Sequence, residues 1–383
     1  NDLFGGLRMS GNVGLRYIQT TDSANGYFTF PTRNQIIGAA ADVGTFCGQP
    51  AQTSPFCGLT TAQQTAVLTF ANGNAINQTN RHRFDHWLPS FNLKVGITPN
   101  LISRFAYSKA ISRPGFEQLQ STIQIQPTSG LSVFQLEASS RNSNPNLKPV
   151  EANQFDLTAE WYFAKVGSLT AAVFYKDLSN VIVANVAQTR SVTNNDITQN
   201  IVFVGPQNAD SHSNVKGFEV AYQQTYDFLP GFLSGFGVQA NYTFVDPSNI
   251  PQGRGAQATS PTTTIDVSRL PLEGLSRHTI NGALFYEKGP LSLRAAYNWR
   301  SKYLLTIRDE IAPFLPIYSS AFGQLDGTIL YSVNDHFKIG FQGVNLLDST
   351  TKTESVINAD GLRAPRSYFK NDRRFSLTTR MKF

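Results

Sequence analysis

Five histidines and two cysteines are the side chains of this sequence best suited to metal, acid–base or redox chemistry. His82 and His86 are four residues apart. On a helix that spacing would put both imidazoles on one face, within reach of a single zinc ion. On a strand it separates them by about 13 Å at ~3.3 Å per residue, too far to share one ion. Residues around them alternate apolar and polar, so they are expected to be interfacial or loop histidines. His278 follows Ser276-Arg277, and a Ser/His pair is what a membrane-embedded hydrolase would need. A lone His beside a Ser also arises by chance. There is no Gly-rich phosphate loop, no G-x-S-x-G and no paired-Cys motif. The sequence therefore predicts no catalytic residue, no metal site and no cofactor. Cys47 and Cys57 sit in Phe46-Cys47-Gly48 and Phe56-Cys57-Gly58, among Pro, Gln, Thr and Ser. An oxidising compartment predicts a disulfide closing a short loop. A metal pair would need further Cys or His nearby, and none is there.

The elements that position these residues have period two. In Arg373-Arg374-Phe375-Ser376-Leu377-Thr378-Thr379-Arg380-Met381-Lys382-Phe383, the apolar Phe375, Leu377, Met381 and Phe383 share one side with Thr379. Arg374, Ser376, Thr378, Arg380 and Lys382 share the other. Successive strand residues point to opposite faces, so this is a two-faced strand. The same alternation recurs at about 11–20, 82–97, 101–113, 154–163, 169–180, 217–226, 236–244, 279–286, 291–299, 325–333 and 337–344. That makes roughly twelve strands. They are joined alternately by turns of a few residues and by long polar segments at about 21–80, 114–148, 185–213, 246–273, 303–319 and 348–371. A soluble sandwich has evenly spaced turns at both ends. Short turns alternating with long loops belong to an outer-membrane barrel. Aromatics gather at strand ends (Trp87, Trp161, Phe163, Tyr242, Phe244, Tyr286, Tyr297, Trp299, Phe337), where interfacial girdles form.

Composition agrees. Charged residues are 15% of the 383 and aromatics 12%, yet only 40% are hydrophobic and the mean hydropathy is −0.22. An average soluble protein carries roughly 25% charge. Alternating strands hide their apolar residues in such averages, and no run approaches the ~18 apolar residues of a membrane helix. The net charge of +6 comes from Lys and Arg scattered through polar strand positions, not from a basic tail or helix, so nucleic acid is not the expected partner. The fold class predicted is all-β: a transmembrane antiparallel barrel with short turns in the periplasm and long loops outside. Its lumen would be lined by Lys94, Arg104, Asp156, Glu160, Glu219, Gln239, Asn241, Arg294, Asp326 and Arg380. Open sheet edges are not viable in lipid, so the strands must close on themselves or be completed by others.

Several stretches resemble the C-terminal half of TonB-dependent outer-membrane receptors of the large proteobacterial branch. They are Leu88-Pro89-Ser90-Phe91-Asn92-Leu93-Lys94, Ala106-Tyr107-Ser108-Lys109-Ala110-Ile111-Ser112-Arg113-Pro114, Asn144-Pro145-Asn146-Leu147-Lys148-Pro149-Val150-Glu151-Ala152, Val215-Lys216-Gly217-Phe218-Glu219, Gly343-Val344-Asn345-Leu346-Leu347-Asp348, and the terminal Phe383. They occur in the family's order from residue 11 onward. The resemblance implies the last twelve or so strands of a 22-strand barrel in the outer membrane of a Gram-negative bacterium. It also implies active import of a scarce nutrient such as a siderophore, carbohydrate or cofactor. The implied partners are outer-membrane lipid and lipopolysaccharide, the barrel-insertion machinery reading Phe375, Leu377, Met381 and Phe383, a plug domain, the TonB energy-coupling system and a small-molecule ligand. Neither plug nor TonB-contacting box lies within these residues. Asn1 opens in mature-looking sequence without an initiator Met, so the chain is expected to be processed, truncated or part of a longer one. A self-contained passive channel of about twelve strands is the alternative, with an outer-membrane hydrolase behind it.

Overall fold

The computed structural model describes residues 2–4, 7–50, 52–128, 133–139, 143–251, 270–307, 309, 315–358 and 360–382. Twelve strands form the wall: β1 (Leu7–Thr29), β2 (Ala75–Thr98), β3 (Leu101–Ser112), β4 (Val150–Ala164), β5 (Gly167–Ser179), β6 (Ser213–Thr225), β7 (Phe236–Ser248), β8 (His278–Lys288), β9 (Leu291–Arg300), β10 (Phe322–Ser332), β11 (Phe337–Val344) and β12 (Arg374–Met381). Each pairs antiparallel with the next in sequence, giving an up-and-down meander from β1 to β12. Among the described residues the far edge of β12 has no strand partner, and β1 gains only short pairings at its two ends.

The register keeps the two faces apart, because residues directly opposite in an antiparallel pair share a face. One row reads Tyr286, Leu293, Ile329, Phe341 and Leu377 across β8 to β12. The row on the opposite face reads Asn241, Asn281, Asn298 and Gln324 across β7 to β10. A slip of one residue would swap the two sets, so the alternation itself pins the register. Aromatics form two belts on the apolar face. Tyr17, Trp87, Tyr107, Phe155, Phe218, Tyr242, Phe244 and Trp299 lie toward the long loops; Trp161, Tyr222, Phe236, Tyr286, Tyr331 and Phe337 lie toward the short turns. Phe236 and Phe244 bound about 26 Å of β7 at ~3.3 Å per residue. That is of the order of the ~25 Å apolar band of such barrels.

β1 and β2 run further than the sequence pattern suggests. Their ladder continues to Thr29↔Ala75, so the loop expected at 21–80 begins only at residue 30 and ends at 74. Beyond Tyr17 and Trp87 the apolar face turns polar, through Gln19, Thr21, Arg83 and Asp85. A strand needs only ~9–11 residues to cross a bilayer. The 23-residue β1 therefore carries its hairpin well past the belt.

The long polar segments are themselves folded. Segments 30–74, 113–149 and 180–212 build one cap. Its hairpin Ile182–Asn194/Ile197–Asn208 receives Leu136–Ser139 in parallel, which pairs with Ile123–Pro127, which reaches Phe28 and Thr29 of β1. The core holds Phe30, Ile37, Phe56, Phe70, Ile125, Ala138 and Ile201, all nearly or wholly buried. Helix Thr61–Phe70 starts with a capping box, Thr60 with Gln63. A second cap joins Tyr303–Thr306, Ile317–Ser319, Thr350–Val356 and Arg363–Lys370 into an antiparallel sheet over Leu304, Ile307, Tyr318 and Val356. Most of the loop expected at 246–273 and part of that at 303–319 fall outside the described residues, as does Phe383.

Candidate functional site: the polar wall and its capped end

All ten residues assigned to the polar face from sequence stand on one side of the sheet. Lys94 lies opposite Arg104, and Asp156 opposite Ala106. Two cations side by side would repel. Glu160 offsets this by taking Arg104 Nε at 2.6 Å and the Tyr162 hydroxyl at 2.9 Å. Lys94, Arg104 and Asp156 line a hollow of about 430 Å³ with Ser10, Asn12 and Asn92. Asn92 donates to Asn12 at 2.8 Å, an amide pair across β1 and β2.

Further round, the charge thins out. Asn281 donates to Asn241 at 2.8 Å, and Arg294 reaches Gln239 at 3.4 Å. With Gln223, Asn298 and several alanines these residues line a hollow of about 300 Å³. Glu219 faces Ala172 and Thr243, an exposed carboxylate with no ion pair among the described residues. Arg380 lies opposite Lys338 near the short-turn end. Asp326 does something the sequence did not signal. Its Oδ1 accepts the backbone N–H of Asn345 at 2.8 Å, fastening the chain as it leaves β11. Asn345 has φ +56°, a left-handed conformation Asn tolerates. Its side chain donates to Asn371 O at 2.6 Å and accepts Ser349 N–H at 2.8 Å.

The capped end gathers the residues that alternation alone could not place. Residues 113–121 lie across the polar side of the β1–β2 extension, where Arg113 Nε donates to Thr20 at 3.0 Å and Gln78 and Asn80 both bond Ser121. Phe116, on this crossing segment, is 91% exposed. His86 is buried, with Nε2 3.5 Å from Glu151, which Lys109 also contacts at 2.6 Å. This is neither the interfacial nor the loop setting expected for it. His82 stacks loosely on Phe84 instead, and the described residues hold no cluster of three or more potential metal ligands. His278 meets the Tyr242 hydroxyl at 2.7 Å, while the Ser276 hydroxyl donates to Ser301 O at 3.0 Å, so the two point to separate partners.

Cys47 and Cys57 are joined, Cα–Cα 5.5 Å, between the cap's first helical turns. Asp42 caps the turn that carries Cys47. The Thr45 backbone N–H, 2.7 Å away, holds its carboxyl below the usual value of 3.8. In the second cap, Lys370 at 2.8 Å holds Asp348 down in the same way. Arg363 lies over the Tyr318 ring at 3.9 Å, and burial pushes the Tyr318 hydroxyl up from 10.0. At β12, Phe375 stacks on Phe341 at 5.9 Å, Leu377 faces Phe341 across the ladder and Met381 faces Phe337.

A family model described as TonB dependent receptor-like, beta-barrel matches residues 4–346. Solved structures share the fold, three of them as follows. The ferric-catecholate import receptor Fiu of E. coli K12 is 18% identical, covers 98% of this chain and 42% of its own, and has a TM-score of 0.54. The ferric enterobactin receptor PfeA of Pseudomonas aeruginosa is 17% identical over 80% of this chain and 41% of its own, TM-score 0.53. The siderophore receptor PirA of Acinetobacter baumannii is 12% identical over 98% and 52%, TM-score 0.54. The chain thus spans about half or less of each. Comparison with curated proteins gives no match.

Proposed function

Because the chain belongs to the TonB-dependent receptor-like β-barrel family, we propose that it forms the closing twelve strands of an outer-membrane receptor that imports a scarce nutrient. The observation carrying this reading is the mainly polar face kept on one side of the wall through all eleven strand pairings, with register shifts only near the turn ends of two of them. One side of the wall offers water-compatible groups for a passing ligand or a plug, and the other offers lipid an apolar, aromatic-belted band. The caps face outside, the short turns face the periplasm, and the ligand first meets the capped end near Phe116 and Arg113. Ferric siderophores suit that end, as do carbohydrates, because aromatic and amide groups serve both. Energy reaches the site through a plug and a TonB-type inner-membrane partner. Lipopolysaccharide surrounds the capped end. Phe375, Leu377, Met381 and the terminal Phe383 are the residues read by the insertion machinery, so removing Phe383 lowers the assembled amount more than ligand affinity. The unpaired edge of β12 speaks for completion by further strands, since an open edge in lipid leaves backbone groups unsatisfied.

Uptake of a panel of labelled ferric siderophores, oligosaccharides and cobalamins tests the proposal. Cells with and without the receptor should differ for one ligand class, and an uncoupler should abolish the difference. Uptake that rises linearly with concentration and ignores the uncoupler would establish a passive channel instead.

A further inference from the structure

Four of the five turns at the short-turn end are tight: residues 99–100, 165–166, 289–290 and 333–336. The fifth, 226–235, is longer and ends in a 3-10 turn, Gly231–Gly235. Its Phe228 and Phe232 are 70% and 69% exposed, with Leu233 beside them. Exposed Phe pairs on a polar-ended turn call for a partner.

The direction in which the turn bends identifies that partner. Lys288 Nζ bonds Gly231 O and reaches Ser234 Oγ at 2.7 Å. A Cβ at Gly235 would lie 2.6 Å from the Tyr286 ring and 2.9 Å from Lys288 Cβ, so the backbone there sits flat against both. Tyr286 belongs to the apolar face, opposite Phe236 and Leu293, and Lys288 follows it on that face. The turn therefore folds back over the lipid side of the wall and not below it. It also continues the short-turn aromatic belt. Tyr226 packs edge-on against Phe228 at 5.9 Å, Phe236 against Tyr286 at 5.0 Å, and Tyr222 stacks on Phe163 at 6.2 Å.

We propose that residues 226–235 form a membrane-interface anchor, with Phe228, Phe232 and Leu233 seated at the headgroup–acyl boundary of the leaflet on the short-turn side. The occupant is lipid because the patch adjoins the band already facing lipid. Phe and Leu bury their apolar surface at that depth while the polar backbone of the turn stays among the headgroups. Lys288 belongs to the device: it pins the turn through two oxygens, and snorkelling keeps its charge at the interface. The inference rests on the wall being membrane-embedded, so the test separates the two.

The test is nitroxide labelling of Phe232→Cys, Leu284→Cys and Asn334→Cys in the receptor reconstituted into phosphatidylethanolamine/phosphatidylglycerol bilayers. Collision with oxygen, which partitions into lipid, is compared with collision with a water-soluble nickel chelate. Leu284, mid-wall on the apolar face, should favour oxygen strongly, and Asn334, in a tight turn, should favour nickel. The anchor predicts that position 232 favours oxygen and reports a depth between those two. Nickel preference at 232 equal to that at 334 overturns the anchor and puts the turn in water. Shielding from both agents overturns it in favour of a protein partner or a second copy. Nickel preference at 284 overturns the membrane reading beneath it.

Discussion

Adding charge at position 292 and at position 293 should have opposite consequences. Leu293 lies between Tyr286 and Ile329 on the apolar face, while Ser292 lies between Glu287 and Leu330 on the polar one. Leu293→Arg, level with Tyr286 of the short-turn belt, is expected to cost about 1 kcal/mol of folding into bilayers, since the penalty falls from ~2–4 kcal/mol at the midplane toward the interfaces. Ser292→Arg, beside a carboxylate, should be tolerated. Urea titration in vesicles compares them, and equal tolerance would mean the register of β9 is wrong. A second residue-scale expectation concerns acid. Lys370 depresses the Asp348 carboxyl, so the folded state gains from the ionised form above about the ordinary 3.8. That gain disappears as pH falls through the lowered value. The connection from β11 to β12 should become protease-sensitive in strong acid, and Asp348→Asn should be sensitive already at neutral pH. Alternation made the wall residues legible, since period two needs nothing beyond neighbours in sequence. Asn345 and Asp326 were not legible as a pair. A left-handed turn fastened by a carboxylate nineteen positions earlier is a tertiary fact.

The caps show where reading by elements stops. Segments 30–74 and 113–149 look like polar loops because their apolar residues are sparse and aperiodic. Yet Phe30, Phe56, Phe70, Ile125 and Ile201 converge from three segments into one core. The Thr60–Gln63 capping box was a usable helix signal that long-loop composition concealed. Phe56→Ala is expected to cost the cap about 3–5 kcal/mol, because the ring is wholly buried among aromatics. Hydrogen exchange should then rise within residues 33–70 while the wall strands stay protected. Reducing Cys47–Cys57, a link across ten positions, should loosen the same segment by about 2–3 kcal/mol. If either change unfolds the wall as well, cap and wall are one cooperative unit.

At the scale of the molecule, the twelve-strand meander and its short-turn/long-loop asymmetry were legible because each strand repeats one pattern. Closure was not, since strand pairing at an edge depends on what lies beside it. Among the described residues β12 has no partner on its far side, and β1 has none on its outer side over most of its length. These 383 residues refolded alone into detergent are therefore not expected to give the compact, SDS-resistant, heat-modifiable band of a closed barrel. Appearance of that band, with steady single-channel conductance, would mean that β1 and β12 close on each other and that the chain is a small channel.

One consequence of the long β1–β2 ladder is mechanical. The cap is borne on a mast whose foot is the same strand that offers a free edge at the seam of the wall. A sideways load on the cap is shared among the three strand pairs that carry its segments, and the part taken by the β1–β2 ribbon is delivered to that seam. Because segments 113–149 and 180–212 tie the same cap to β3–β4 and β5–β6 as well, strengthening the seam should stiffen the β1–β2 support while two further supports stay as they are.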